Sequence, residues 1–130
     1  MTGYYSGVII QESLADLKVL KNVKIISTKI VPVTERHKTP WVKQWTMQVV
    51  EISEDKMEKV AQEISAALEN KHPWYADFKS GVWHYIIFRG KIFKVDRTSK
   101  EQYLEAKKYG LIIGIPEYQV DFHPEIDKNL

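Results

Sequence analysis

Between His72 and Val95 the chain reads HPWYADFKSGVWHYIIFRGKIFKV, and most of its chemistry-bearing side chains fall in that run. A histidine passes protons near neutral pH, and a carboxylate beside it fixes its tautomer and orientation. His84 and Asp77, on either side of a turn at Ser80-Gly81, could form such a pair across two strands. Arg89 and Lys91 flank Gly90 at a second turn, where two cations favour an anionic group. Trp74, Tyr75 and Trp83 add ring surface with a polar handle on each ring. These seven residues are the candidate ligand-binding set, and none of them is assigned to catalysis.

Folding alone accounts for much of the run. Trp74, Tyr75, Phe78, Trp83, Tyr85, Phe88 and Phe93 each bury about 150 to 250 Å² when they enter a core. Side chains alternate across a strand, so Trp83, Tyr85 and Ile87 share one face while His84, Ile86 and Phe88 share the other. Both faces are apolar or aromatic, which implies a strand covered on both sides or an open face that receives a partner. A histidine on the Ile86 and Phe88 face is more often a satisfied structural residue than a catalyst. If His84 and Asp77 lay on opposite faces, or if His84 were buried without access, the acid-base option would close.

Other chemistries find little support. The four histidines, His37, His72, His84 and His123, include no H-x-x-x-H pair, and there is no cysteine, so no metal or other cofactor is expected. The missing cysteines also exclude disulfides and thiolate nucleophiles. Gly81, Gly90, Gly110 and Gly114 are isolated, so no phosphate-cradling loop forms, and no G-x-S-x-G elbow is present. Arg89 to Val95 faintly resembles the RNP1 strand of RNA recognition modules. Lys91 and Ile92 stand where an aromatic and a small residue belong, leaving Phe93 as the one stacking ring. Lys79, Arg89, Lys91, Lys94, Arg97 and Lys100 cluster in sequence, and a solvated hairpin tip explains them as well as nucleic acid does.

These residues need elements to hold them. Tyr4 to Gln11 reads as a strand, and Ser13 opens a short helix carrying Leu14, Leu17 and Leu20. Val23 to Val33 is a strand whose apolar phase shifts, which predicts a bulge, and Pro32 places its end at an edge. Thr34 to Pro40 is a connection. Trp45, Met47 and Val49 alternate with polar residues, as on a strand with one face buried. Met57, Val60, Ala61, Ile64, Ala67 and Leu68 fall on one face of a helix from Glu54 to Glu69, with Ser53 as its cap. A meander follows, turning at Ser80-Gly81 and Arg89-Gly90. Thr98 to Glu101 is a capping box for a third helix ending at Gly110, and Leu111 to Phe122 is a packed loop and short strand. From His123 onward fraying is expected.

The fold class is therefore α+β: an antiparallel sheet with helices mainly on one face. The order strand, helix, strand, strand, helix, strand suggests a ferredoxin-like, split βαβ core extended by a hairpin and a third helix. The 130 residues carry 44% hydrophobic, 28% charged and 12% aromatic side chains, the profile of one globular domain. Nineteen basic and seventeen acidic side chains leave a charge of +2, too weak a bias to imply nucleic acid. No secretory signal or membrane span is read, so a cytoplasmic location is the simplest expectation.

His72-Pro-Trp-Tyr-Ala-Asp-Phe, His84-Tyr-Ile-Ile-Phe-Arg-Gly-Lys-Ile-Phe-Lys-Val-Asp-Arg and Gly114-Ile-Pro-Glu-Tyr-Gln-Val-Asp-Phe resemble small uncharacterised prokaryotic proteins of about this length. The resemblance covers mainly the C-terminal half and implies no activity, cofactor or catalytic residue. The expected function is a small non-catalytic binding module whose aromatic and basic meander contacts a protein partner or a small anionic ligand. An enzyme using His84 with Asp77 and a binder of single-stranded nucleic acid are the alternatives.

Overall fold

The computed structural model describes residues 3–124. Six strands form one sheet: β1 (Tyr4–Ile10), β2 (Lys24–Pro32), β3 (Gln44–Ser53), β4 (Tyr75–Ser80), β5 (Trp83–Phe88) and β6 (Lys91–Asp96). Their spatial order is β2-β3-β1-β4-β5-β6, with every neighbouring pair antiparallel. Two helices, α1 (Glu54–Ala67) and α2 (Lys100–Ile112), complete an α+β architecture in which the sheet dominates.

The helices lie on opposite faces, not mainly on one. Met57, Val60, Ala61 and Ile64 of α1 pack with Tyr5, Ile9, Val50, Ile52, Phe78, Tyr85 and Ile87 of the sheet. On the other face, Tyr103 and Ala106 of α2 join Ile86, Phe88 and Val95, and the tail adds Ile115 and Val120. The cause is β5, where every residue after Trp83 is buried. A strand apolar on both faces must be covered on both.

Four local expectations give way to longer-range contacts. The segment after β1 forms 3-10 turns at Gln11–Ser13 and Leu17–Asn22 in place of a helix. Its backbone is diverted to the end of α1: Ala67 O accepts from the Ala15 amide at 2.7 Å, and Ser13 O accepts from the Glu69 amide at 2.8 Å. On β3 the buried face is Thr46, Gln48, Val50 and Ile52, while Trp45, Met47 and Val49 are half-buried. Polar partners make that acceptable, since Glu12 Oε2 accepts from Thr46 Oγ1 at 2.7 Å and Gln11 Oε1 accepts from Gln48 Nε2 at 2.9 Å. Finally, α2 runs past Gly110 to Ile112. That glycine serves packing: a Cβ there would lie 2.7 Å from Val120 Cγ1. The left-handed turn falls at Gly114, with φ of 98°, and a 3-10 turn at Glu117–Gln119 replaces the expected tail strand.

Other expectations hold. The bulge in β2 lies between Ile25 and Ser27, and Pro32 ends this edge strand. The cap of α2 falls one residue later than the expected Thr98-to-Glu101 box: Ser99 accepts from the Gln102 amide, while Thr98 Oγ1 donates to Asp96 Oδ1. Ser53 precedes α1 without capping it; its hydroxyl donates to Asp55 Oδ1 instead. Of the fraying expected from His123 onward, positions 125–130 lie outside the described residues.

Candidate functional site

The ring-rich run divides between two places. In the first, Asp77 on β4 lies opposite Ile86, one diagonal step from His84 on β5. Both side chains face α2, and Asp77 Oδ2 stands 2.7 Å from His84 Nε2. The other ring nitrogen, Nδ1, is 2.9 Å from the Tyr103 hydroxyl of α2. With the imidazole neutral, Nε2–H donates to the carboxylate and the phenol donates to Nδ1.

Access is what this relay lacks. His84 is 2% exposed and Tyr103 1% exposed, and Phe122 meets the imidazole edge-on at a centroid distance of 5.9 Å. Both imidazole nitrogens are engaged, so His84 ties the sheet to α2 and offers neither nitrogen to a substrate, while the Asp77 side chain is 33% exposed. Tyr75 on the same face donates to Gln119 O at 2.7 Å and pins the tail across it. Burial first, then the nearby Asp77 carboxylate and Tyr118, raise its phenol well above the usual 10.0 and keep it protonated as that donor. Phe93 packs against Phe88 and Tyr109, so the strand resembling RNP1 turns its ring towards α2.

The second place is a groove of about 780 Å³ between the end of α1, the β5–β6 turn and the end of α2. It gathers Trp74, Arg89 and Lys91 from the candidate set with Lys71, His72 and Tyr109. Trp83 is elsewhere, 38% exposed on the opposite sheet face from His84, with Lys94 Nζ 4.5 Å from its ring centroid.

Local interactions give the groove its shape. Ser65 of α1 donates to Phe88 O at 2.6 Å and accepts from the Gly90 amide at 2.8 Å, which seats the β5–β6 turn on the helix. Gly90 has φ of 74°, a conformation that favours glycine, in this tight turn. Arg89 Nη1 donates to Leu68 O at 2.9 Å and Ala66 O at 3.3 Å, so it caps the negative end of α1 while lining the groove. Lys91 is exposed beside it.

Glu69 organises the opposite wall. Its carboxylate accepts from the Lys71 amide at 2.8 Å and Trp74 Nε1 at 2.9 Å, and meets His72 Nδ1 at 2.7 Å. Burial pushes its pKa up, but the hydrogen bonds from Lys71, His72 and Trp74 outweigh that and hold it below its ordinary 4.5. A depressed carboxylate contributes stability that is present above its ordinary value and lost as pH falls through the depressed one. Glu69→Gln should therefore shrink the stability lost between about pH 6 and about pH 3. Urea midpoints of the two proteins at each pH would show it.

No family model, curated protein or solved structure matches the chain. Among the described residues no helix is long and apolar enough to cross a membrane, and no three potential metal ligands cluster.

Sequence reasoning missed Glu69 and His72 as a pair. Their spacing of three residues at a helix end was the available signal, since it allows side chains to meet. Tyr103 carried no signal beyond its place on α2.

Proposed function

We propose that the protein is a small non-catalytic binding module whose groove takes a compact molecule joining a flat apolar body to an anionic group. The observation that carries this reading is the groove's lining. Pro73, Trp74, Ile92, Tyr109 and Ile113 supply apolar wall, while Lys71, Arg89 and Lys91 face one carboxylate, that of Glu69. Glu69 is already committed to three internal donors, so the cations outnumber the free anions. The volume lies within the range of small-molecule sites, about 300 to 1,000 Å³.

The fold reading beneath it is that β2-β3-β1-β4 form a ferredoxin-like, split βαβ core. The antiparallel order supports this, with 3-10 turns standing in for the first crossover helix. On that reading β5, β6 and α2 are additions to the core, and the groove lies where they meet α1.

Calorimetric titration with 2-naphthoate, a flat apolar body bearing a carboxylate, tests the function. The native chain should bind it, and the double variant Lys71→Glu, Lys91→Glu should bind at least about tenfold more weakly, since the two cations become repulsive. Both lysines are exposed, so the fold should survive. Filling the groove by Ala66→Trp should abolish binding without changing a charge. Failure of the native chain to bind, or equal binding by all three proteins, would overturn the reading.

A further inference from the structure

We infer that His72 is the specificity-determining residue of this groove, accepting at Nε2 a hydrogen bond from a hydroxyl on the ligand's ring while Lys71 and Lys91 hold its anionic group. This deepens the proposed function and rests on it.

The first ground is the tautomer. An ionised carboxylate is an acceptor with no proton to give. Glu69, whose Oε1 lies 2.7 Å from Nδ1, therefore places the proton of the neutral His72 imidazole on Nδ1. Nε2 is left with its lone pair. The second ground is fixation. Trp41 stacks on the imidazole with centroids 4.3 Å apart and planes 8° from parallel, and Trp41 itself abuts Trp74 edge-on. The ring is thus clamped from its face and from Nδ1, as a preorganised recognition group must be.

The third ground is availability. The His72 side chain is 33% exposed and lines the groove. Nε2 makes no hydrogen bond to the described residues, and it is not among their buried, unbonded polar atoms, so solvent reaches it. His84 is the contrast, with both nitrogens engaged in the core. The lining cations Lys71, Arg89 and Lys91 can only donate. An aromatic acid carrying a hydroxyl satisfies both kinds of group: its carboxylate takes the donors, and its O–H takes Nε2.

The test compares 2-naphthoate with its 3-, 6- and 7-hydroxy isomers. One isomer should bind the native chain about three- to tenfold more tightly than 2-naphthoate, the worth of one hydrogen bond made in competition with water. His72→Phe keeps a ring against Trp41 and removes the acceptor. It should erase that gain, so that the favoured isomer and 2-naphthoate bind the variant with equal affinity, whatever the change in their common level. If 2-naphthoate binds but no isomer gains, or the gain persists in the variant, the inference is wrong and the groove reading stands. If 2-naphthoate does not bind the native chain, both fall. Should His72→Phe not fold, the His72 Nε2 nitrogen chemical shift of the native chain gives the same answer. It should move clearly further with the favoured hydroxy isomer than with 2-naphthoate; equal movement with both overturns the inference.

Discussion

Gly7→Ala should cost the fold about 3 kcal/mol, at the upper end of what overpacking usually exacts. Gly7 lies opposite Phe78, in the short ladder through which β1 meets β4. That ladder joins the β2-β3-β1 half of the sheet to the β4-β5-β6 half. A Cβ on Gly7 would stand 2.0 Å from Asp77 O and 2.5 Å from Phe78 Cδ1. The first obstacle is backbone, so relief requires the two strands to part and lose hydrogen bonds. Gly3→Ala is the matched control, because its Cβ would meet only the flexible end of Glu54. It should stay within about 0.5 kcal/mol of the native chain. Urea unfolding of the two variants measures both, and a Gly7→Ala chain as stable as the control would refute the close approach.

His84→Leu should cost about 2 to 4 kcal/mol, a large share of the 5 to 15 kcal/mol typical of a domain. The substitution removes a buried imidazole whose Nδ1 meets the Tyr103 hydroxyl at 2.9 Å, in a site where Tyr103 is 1% exposed. Asp77 suffers less, since its side chain is 33% exposed and water can replace the lost partner. Tyr103→Phe alone should cost about 1 to 2 kcal/mol, because it removes the donor to a buried Nδ1. Their combination should cost less than the sum, since the two side chains share one buried hydrogen bond that can be lost only once. Strict additivity would mean that the hydrogen bond between them contributes nothing.

The sequence made the Asp77–His84 contact legible because its causes are local. Strand alternation sets His84 on the face of Ile86 and Phe88; the turn falls at Gly81-Val82, one residue beyond the expected Ser80-Gly81, so Asp77 lies one diagonal step from His84 and not directly opposite it. The α1 helix was legible for the same reason, its apolar residues recurring at helical spacing. What escaped depends on distant segments. Thr46 and Gln48 enter the core because Glu12 and Gln11 reach them from the far end of β1. The leucines after Ser13 lose their helix because α1 takes their backbone bonds. The opposite placement of α2 follows from the two-faced β5, which the run HYIIF announced without saying which helix would cover which face.

The groove escaped most completely. It is assembled from residues 62–74, 89–92 and 109–113, three stretches with no shared motif. Trp74, Arg89 and Lys91 drew notice as a ring and two cations in one run. Their common address depends on Ser65 and Arg89 seating the β5–β6 turn on α1.

The most direct test of that address is amide chemical-shift mapping as 2-naphthoate is added to the nitrogen-15-labelled chain. Saturable shifts should concentrate at Ser65 to His72, Arg89 to Ile92 and Tyr109 to Ile113, and should vanish in Ala66→Trp. Shifts centred on Trp83 or Asp77, or shifts indifferent to Ala66→Trp, would contradict the groove as the binding site.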